Sequence, residues 1–208
     1  MIRRGITSVA LAGLMAVAVG VPVVLADTVP VFTYEVHFAE GYYVKGPLVV
    51  DVVAQFGQND GFSFHELHVG LVTTKNVRCD GHGKKRGQIV THAEGSSDSA
   101  SLKFARDLKS VKASGRIQVT EYIDNSCEGT EVQGRTYAVD VSMDLHSTGR
   151  LTSTTTVDVV TEPEGVYTDT LTTDQRPAEG TMRIDRESYP ANDTSIVHQV
   201  DIVELTTP

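Results

Sequence analysis

Between Thr136 and His146 the side chains alternate with a period of two. Tyr137, Val139, Val141, Met143 and Leu145 share one face, and Thr136, Ala138, Asp140, Ser142, Asp144 and His146 share the other. A helix would scatter those apolar residues around its circumference, so this segment reads as a strand with one buried and one wet face. Weaker copies of the pattern recur. Phe32, Tyr34, Val36 and Phe38 alternate with Thr33, Glu35 and His37. Val50, Val52, Ala54 and Phe56 alternate with Asp51 and Gln55, although Val49 and Val53 make both faces apolar. Asn59-Asp60-Gly61 then predicts a turn, because Asp-Gly tolerates positive φ. Phe62 to Thr73 returns as the partner strand, and its change of phase between Phe64 and Leu67 predicts a bulge.

Further along, Gly81 to Gly87 is glycine-rich and basic, with Lys84, Lys85 and Arg86 in a row, and reads as an exposed loop. Ser99 to Ala113 carries Leu102, Ala105, Leu108 and Val111 at helical spacing. The preferred reading is nonetheless a strand over Ala100 to Phe104, a turn near Asp107 and a second strand from Ser110 to Tyr122, where Ile117 and Val119 support extended structure. The C-terminal third is rich in threonine, whose branched Cβ suits a pleated, half-exposed surface. Arg150 to Thr161, Val166 to Gln175, Ala178 to Asp185 and Ser195 to Leu205 read as strands, separated by Pro163-Glu164-Gly165, Pro177 and Pro190-Ala191-Asn192-Asp193. About ten strands on short links imply an all-β antiparallel meander, closed as a barrel or folded over as a sandwich. No linker or internal repeat divides it, so residues 27–208 are expected to form a single all-β domain.

The N-terminus sets the compartment. Arg3 and Arg4 precede an apolar run from Ile6 to Leu25, and Val24-Leu25-Ala26 places small residues ahead of Asp27. This is the layout of a signal peptide over residues 1–26, cleaved between Ala26 and Asp27. Gly20, Pro22 and the small-residue site favour cleavage over retention as an anchor, and no cysteine follows the run to take a lipid. The expected product is secreted or held at the cell envelope, with no transmembrane anchor after cleavage. The chain carries 18 basic and 27 acidic residues for a formal net charge of −9, and loss of Arg3 and Arg4 makes the remainder more acidic. Such a surface disfavours nucleic acid and anionic membranes as partners. The lack of Trp also weighs against a sugar-binding platform.

Two cysteines in an exported chain point to one disulfide, Cys79 to Cys127. The same half of the sequence holds Asp107-Leu108-Lys109-Ser110 before a strand, Cys127 in a turn, and Val139-Asp140-Val141 leading to Ser147-Thr148-Gly149-Arg150-Leu151-Thr152. Arg176-Pro177-Ala178-Glu179-Gly180-Thr181 follows. Over residues 105 to 190 the chain resembles a group of secreted β-rich proteins of unknown function from high-GC Gram-positive bacteria. The resemblance implies a secreted β fold and transfers no functional residue.

The chemistry-bearing residues are scattered. Seven histidines stand at 37, 65, 68, 82, 92, 146 and 198. His65-Glu66-Leu67-His68 is the densest cluster, but residues three apart on a regular strand face opposite sides and cannot share one ion. The expectation is therefore surface histidines and no metal site. Asp124, Ser126, Glu128 and Gly129 match the start of a calcium loop, yet Arg135 stands where a bidentate Glu is required, so a polar hairpin turn is expected. No G-x-S-x-G elbow is present. Gly95-Ser96-Ser97-Asp98 reads as a small polar loop, Glu162 and Glu164 flank a turn at Pro163, and Asn192-Asp193-Thr194 is a glycosylation triplet read as a turn. No catalytic, cofactor-binding or metal residue is assigned and no cofactor is expected. The leading expectation is a non-enzymatic protein that acts by binding a partner outside the cell. The alternatives are a small-ligand carrier with a hollow barrel, which requires a cavity of several hundred Å³, and an extracellular hydrolase with an unmarked site.

Overall fold

The computed structural model describes residues 28–59, 61–79 and 85–207. The leader with Ala26 and Asp27, Asp60 of the first turn, and residues 80–84 with His82 lie outside the described residues. Ten strands follow in order: β1 (Thr28–Lys45), β2 (Leu48–Asn59), β3 (Phe62–Arg78), β4 (Arg86–Ser97), β5 (Ser101–Phe104), β6 (Ser110–Asn125), β7 (Thr130–Ser147), β8 (Thr152–Glu162), β9 (Gly165–Ile184) and β10 (Glu187–Thr206). They form one sheet in which every pairing is antiparallel. The all-β meander expected from the alternation is what the chain adopts.

The sheet closes on itself. β1, β2, β3, β4, β6, β7, β9 and β10 pair in sequence, and β10 pairs back onto β1. The resulting ring is not a regular barrel. β4 and β6 pair only from Ile89↔Asn125 to Glu94↔Thr120, while the first half of β6 pairs with the short β5. β8 stands outside the ring, paired along the first half of β9 and ending the sheet.

One apolar cluster fills the ring. Leu67, Ile117, Met143, Leu145, Met182 and Ile196 are fully buried, with Val50, Val52, Val69, Val111 and Val119 between them. At about 1.5–3 kcal/mol for each large side chain removed from water, this cluster is the main favourable term. The alternating residues of β7 lie within it as the sequence predicts, with Val139, Val141, Met143 and Leu145 buried and Tyr137 packed at its margin. Ser99 to Ala113 is the predicted strand–turn–strand, and Leu108 at its turn holds a φ of 55° while its side chain is buried.

Several expectations are corrected. β3 contains no bulge: β2 and β3 stay in register from Leu48↔Thr73 to Asn59↔Phe62. The phase change instead reflects Phe64, which packs on the opposite face, stacked on Tyr34 at 6.3 Å between ring centroids and lying over Gly57. Gly95 to Ser97 belong to β4 rather than to a loop, as do Arg86 and Gly87. The two strands expected on either side of Pro177 are one strand, β9. Pro177 is tolerated because it sits where β9 passes from β8 to β7: the β8 pairing ends at Gln175 and the β7 pairing begins at Ala178. The Pro177 carbonyl accepts from the Thr148 N–H across that gap, and the proline's missing N–H leaves no ladder bond broken. Pro190 to Asp193 is likewise inside β10, where the register shifts between Ala191 and Thr194. Asn192 of the glycosylation triplet is exposed at that bulge.

The predicted disulfide is present. Cys79 follows β3 and Cys127 lies in the β6–β7 turn, with Cα atoms 5.1 Å apart. The bond bridges over β4 at Gly87, where an added Cβ would lie 2.5 Å from both sulfur atoms.

Asp201 of β10 carries a testable cost. Its Oδ1 is buried without a hydrogen-bond partner, and burial, then the neighbouring Asp169 carboxyl, pushes its pKa above the usual carboxylate range. The folded state therefore holds this proton more tightly than the unfolded chain. Stability from this site is fully present below the unfolded pKa and is lost as pH rises through the folded pKa. Asp201→Asn is expected to raise the melting temperature at pH 7 by roughly 2–4 °C, the shift of about 1 kcal/mol in a chain of this size. The gain should vanish in melts taken near pH 4. A gain independent of pH would show that the charge is not its source.

Candidate functional site

The face of β1 that carries Ala39, Gly41 and Tyr43 toward the core also carries Glu35 and His37. The apolar set Phe32, Tyr34, Val36 and Phe38 lies on the other face. The strand thus turns its polar side inward near the end of the ring, against the local pattern, and a group of titratable side chains gathers there.

Four adjacent strands supply it. β1 pairs with β10 so that His37 stands directly opposite His198. On the other side of β1, Glu35 faces Gln58 and His37 faces Phe56 of β2. On the far side of β10, His198 faces Asp174 of β9. Directly opposed residues on antiparallel strands hold their Cβ atoms about 4.5–5.5 Å apart, close enough for these side chains to meet. The two imidazoles stack with centroids 4.4 Å apart and planes 17° from parallel. Phe104 of β5 and Phe56 flank the His37 ring at 5.6 and 6.2 Å.

Glu35 is the hub. His198 Nε2 donates to Glu35 Oε1 at 2.9 Å, and the Gln58 amide donates to Oε2 at 2.6 Å. His37 Nε2 stands 3.7 Å from the same Oε1, beyond hydrogen-bond length. His37 Nδ1 is buried and has no hydrogen-bond partner. His198 Nδ1 faces Asp174 Oδ2 at 3.9 Å. The Glu35, His37 and His198 side chains are 33, 19 and 22 % exposed, so the cluster is sheltered yet reachable from solvent.

The electrostatics separate the two kinds of group. The hydrogen bond from His198 holds the Glu35 carboxyl below its usual range, and burial opposes this only in part. Burial pushes the His37 imidazole down, helped by the charge of His198. At neutral pH Glu35 is an anion and His37 a neutral base.

One oxygen and one imidazole nitrogen from each histidine lie within 4.8 Å of one another. Ligands of a transition ion at about 2.0–2.2 Å sit roughly 3.4 Å apart in a tetrahedron, so closing on an ion needs shifts of about an ångström. Two imidazoles and a carboxylate suit zinc and its neighbours and leave a further coordination position open. Asp174 is placed to orient His198 through its other ring nitrogen, as outer carboxylates do for ligating histidines.

The remaining singled-out residues are dispersed. His65 and His68 lie on opposite faces of the regular β3; His65 is exposed and His68 faces Asp51 at 3.8 Å. His92 stacks on Tyr122, and His146 faces Glu179 at 3.4 Å. Asp124 ends in β6, while Ser126, Glu128 and Gly129 form the hairpin turn, where Ser126 Oγ accepts from the Gln88 N–H. Glu164 sits in the β8–β9 turn and accepts from the Tyr167 hydroxyl. The expectation that the histidines are scattered over the wet surface fails for His37 and His198. Half of the signal was local, since Glu35 and His37 are two apart and share a face of an extended strand. The other half, His198, lies 161 positions away and nothing in the local pattern links it.

No protein-family model, curated protein or solved structure matches the chain.

Proposed function

We propose that this is an exported protein that acts by binding a divalent transition metal ion at Glu35, His37 and His198. The convergence of the Glu35 carboxylate with two imidazoles on the ring's closing strands carries this reading. An ionised carboxylate beside a neutral imidazole is the protonation state such an ion requires. The leader-like N-terminus and the Cys79–Cys127 bond support an oxidising, extracytoplasmic setting. The filled apolar interior speaks against a carrier with a hollow barrel. A groove of about 750 Å³ is open to solvent and lined by Lys103, Lys112, Asp144, His146 and Arg183, a surface unlike an apolar ligand cavity.

Calorimetric titration tests the reading. The disulfide-bonded chain is expected to bind one Zn²⁺ saturably and to ignore Mg²⁺, which prefers oxygen ligands. Glu35→Gln, His37→Gln and His198→Gln should each weaken zinc at least about 10-fold, and Asp174→Asn about 10-fold through His198. His146→Gln should change nothing. Absence of saturable zinc binding, or zinc binding indifferent to all three ligand substitutions, would refute the assignment.

A further inference from the structure

β8 is the exposed end of the sheet. It pairs with β9 from Thr152↔Gln175 to Glu162↔Gly165, and β9 is its sole strand partner among the described residues. All eleven of its residues are exposed, including Val157 at 54 %, Val159 at 62 % and Val160 at 53 %. Its outer edge therefore presents a row of unpaired backbone groups flanked by β-branched side chains. Proteins usually blunt such an edge with lysine, proline, a bulge or a covering segment. Residues 152–162 contain no Lys, Arg or Pro, and the register with β9 is unbroken.

We propose that β8 pairs antiparallel with β8 of a second copy of this chain, across a twofold axis at Val157. This axis lies at the middle of Thr152–Glu162, so the whole strand is used. It sets Asp158 against Thr156, Val159 against Thr155, Val160 against Thr154, Thr161 against Ser153 and Glu162 against Thr152. No acid stands directly opposite an acid; the two Asp158 side chains are diagonal neighbours across the axis, one reason the contact is weak. Valine and threonine, both β-branched, suit the pleated surface the pairing would extend. The isologous contact satisfies both edges at once and joins the two sheets into one.

A single strand pair is a small interface, so the dimer is weak and its population follows concentration. Sedimentation velocity from about 1 µM to about 500 µM is expected to show a monomer–dimer equilibrium. Val159→Lys should shift it at least about 10-fold toward monomer, because a lysine on an open edge strand blunts pairing with another chain. A cross-linking pair fixes the register. Val157→Cys lies on the axis and should form an intermolecular disulfide on mild oxidation, seen by non-reducing mass spectrometry with peptide mapping. Val160→Cys, with its copies about 20 Å apart in this register, should not. Circular dichroism and an intact Cys79–Cys127 bond confirm that each variant is folded. A monomer over the whole range overturns the proposal, as do Val160→Cys cross-links as efficient as those of Val157→Cys. Dimers unaffected by Val159→Lys would place the contact elsewhere and overturn it equally.

Discussion

Replacing Cys79 and Cys127 together by serine is expected to lower the stability of the folded chain by about 4 kcal/mol, the chain-entropy value for a closed loop of this length. The two sulfurs are 48 positions apart in sequence, so the bond removes a large share of the unfolded chain's freedom. That is a substantial fraction of the 5–15 kcal/mol by which domains are typically stable. The bond's position adds to the expectation. It ties the end of β3 to the β6–β7 turn over β4, beside the shortest pairing in the ring. Thermal melts should fall by roughly 8–16 °C. Reduction of the unmodified protein should reproduce the loss. A drop below about 1 kcal/mol would mean that contacts surviving in the unfolded ensemble already hold these segments together.

The second large effect is expected at Leu67. Its side chain is fully buried, and its Cδ2 lies 3.6 Å from where a Cβ would stand on Gly115. Gly115 belongs to the half of β6 that β4 does not pair with. Leu67 therefore fills the space across the ring where backbone pairing between β4 and β6 has stopped. Leu67→Ala removes that filling and leaves a void the strands on either side are held from closing. The expected loss is about 3 kcal/mol, within the range for buried leucines. Chemical denaturation should show a lower midpoint with an unchanged slope, since the folded surface is little altered. A loss under about 1 kcal/mol would indicate that the ring collapses around the gap. Val132→Ala on β7 is the matching control, since that side chain is 58 % exposed and its loss uncovers no void.

The strands themselves were legible. β7 announced itself through five alternating apolar residues, and all of them reach the core or its margin. The segment from Ser99 to Ala113 resolved correctly because β-branched Ile117 and Val119 outweighed a helical spacing that Gly115 could have ended. Proline misled twice. Pro177 and Pro190 read as breaks, yet both sit inside long strands, where pairing changes partner or shifts register. A break is the right reading of proline when the strand on its N–H side needs that donor, and local sequence does not reveal which side is paired.

The candidate site was legible only in part, for a related reason. On β1 the apolar alternation pointed to Phe32, Tyr34, Val36 and Phe38 as the inner face, whereas Glu35 and His37 share the face of fully buried Ala39. A local rule broken in this way marks a place where packing against other strands has overruled propensity. His198, Asp174 and Gln58 then come from three other strands.

The sequence by itself determined where the chain is extended, which cysteines pair and that the chain carries a net negative charge. Those properties arise from neighbours two residues apart, from composition, or from there being just one possible sulfur pairing. Only the tertiary structure decided that β10 returns to β1, that His37 meets His198, and that β8 is left over at the edge. Ring closure joins the two ends of the sheet in a register set by the sum of packing around the whole circumference. No single segment carries that sum, and so no single segment could announce the site it creates.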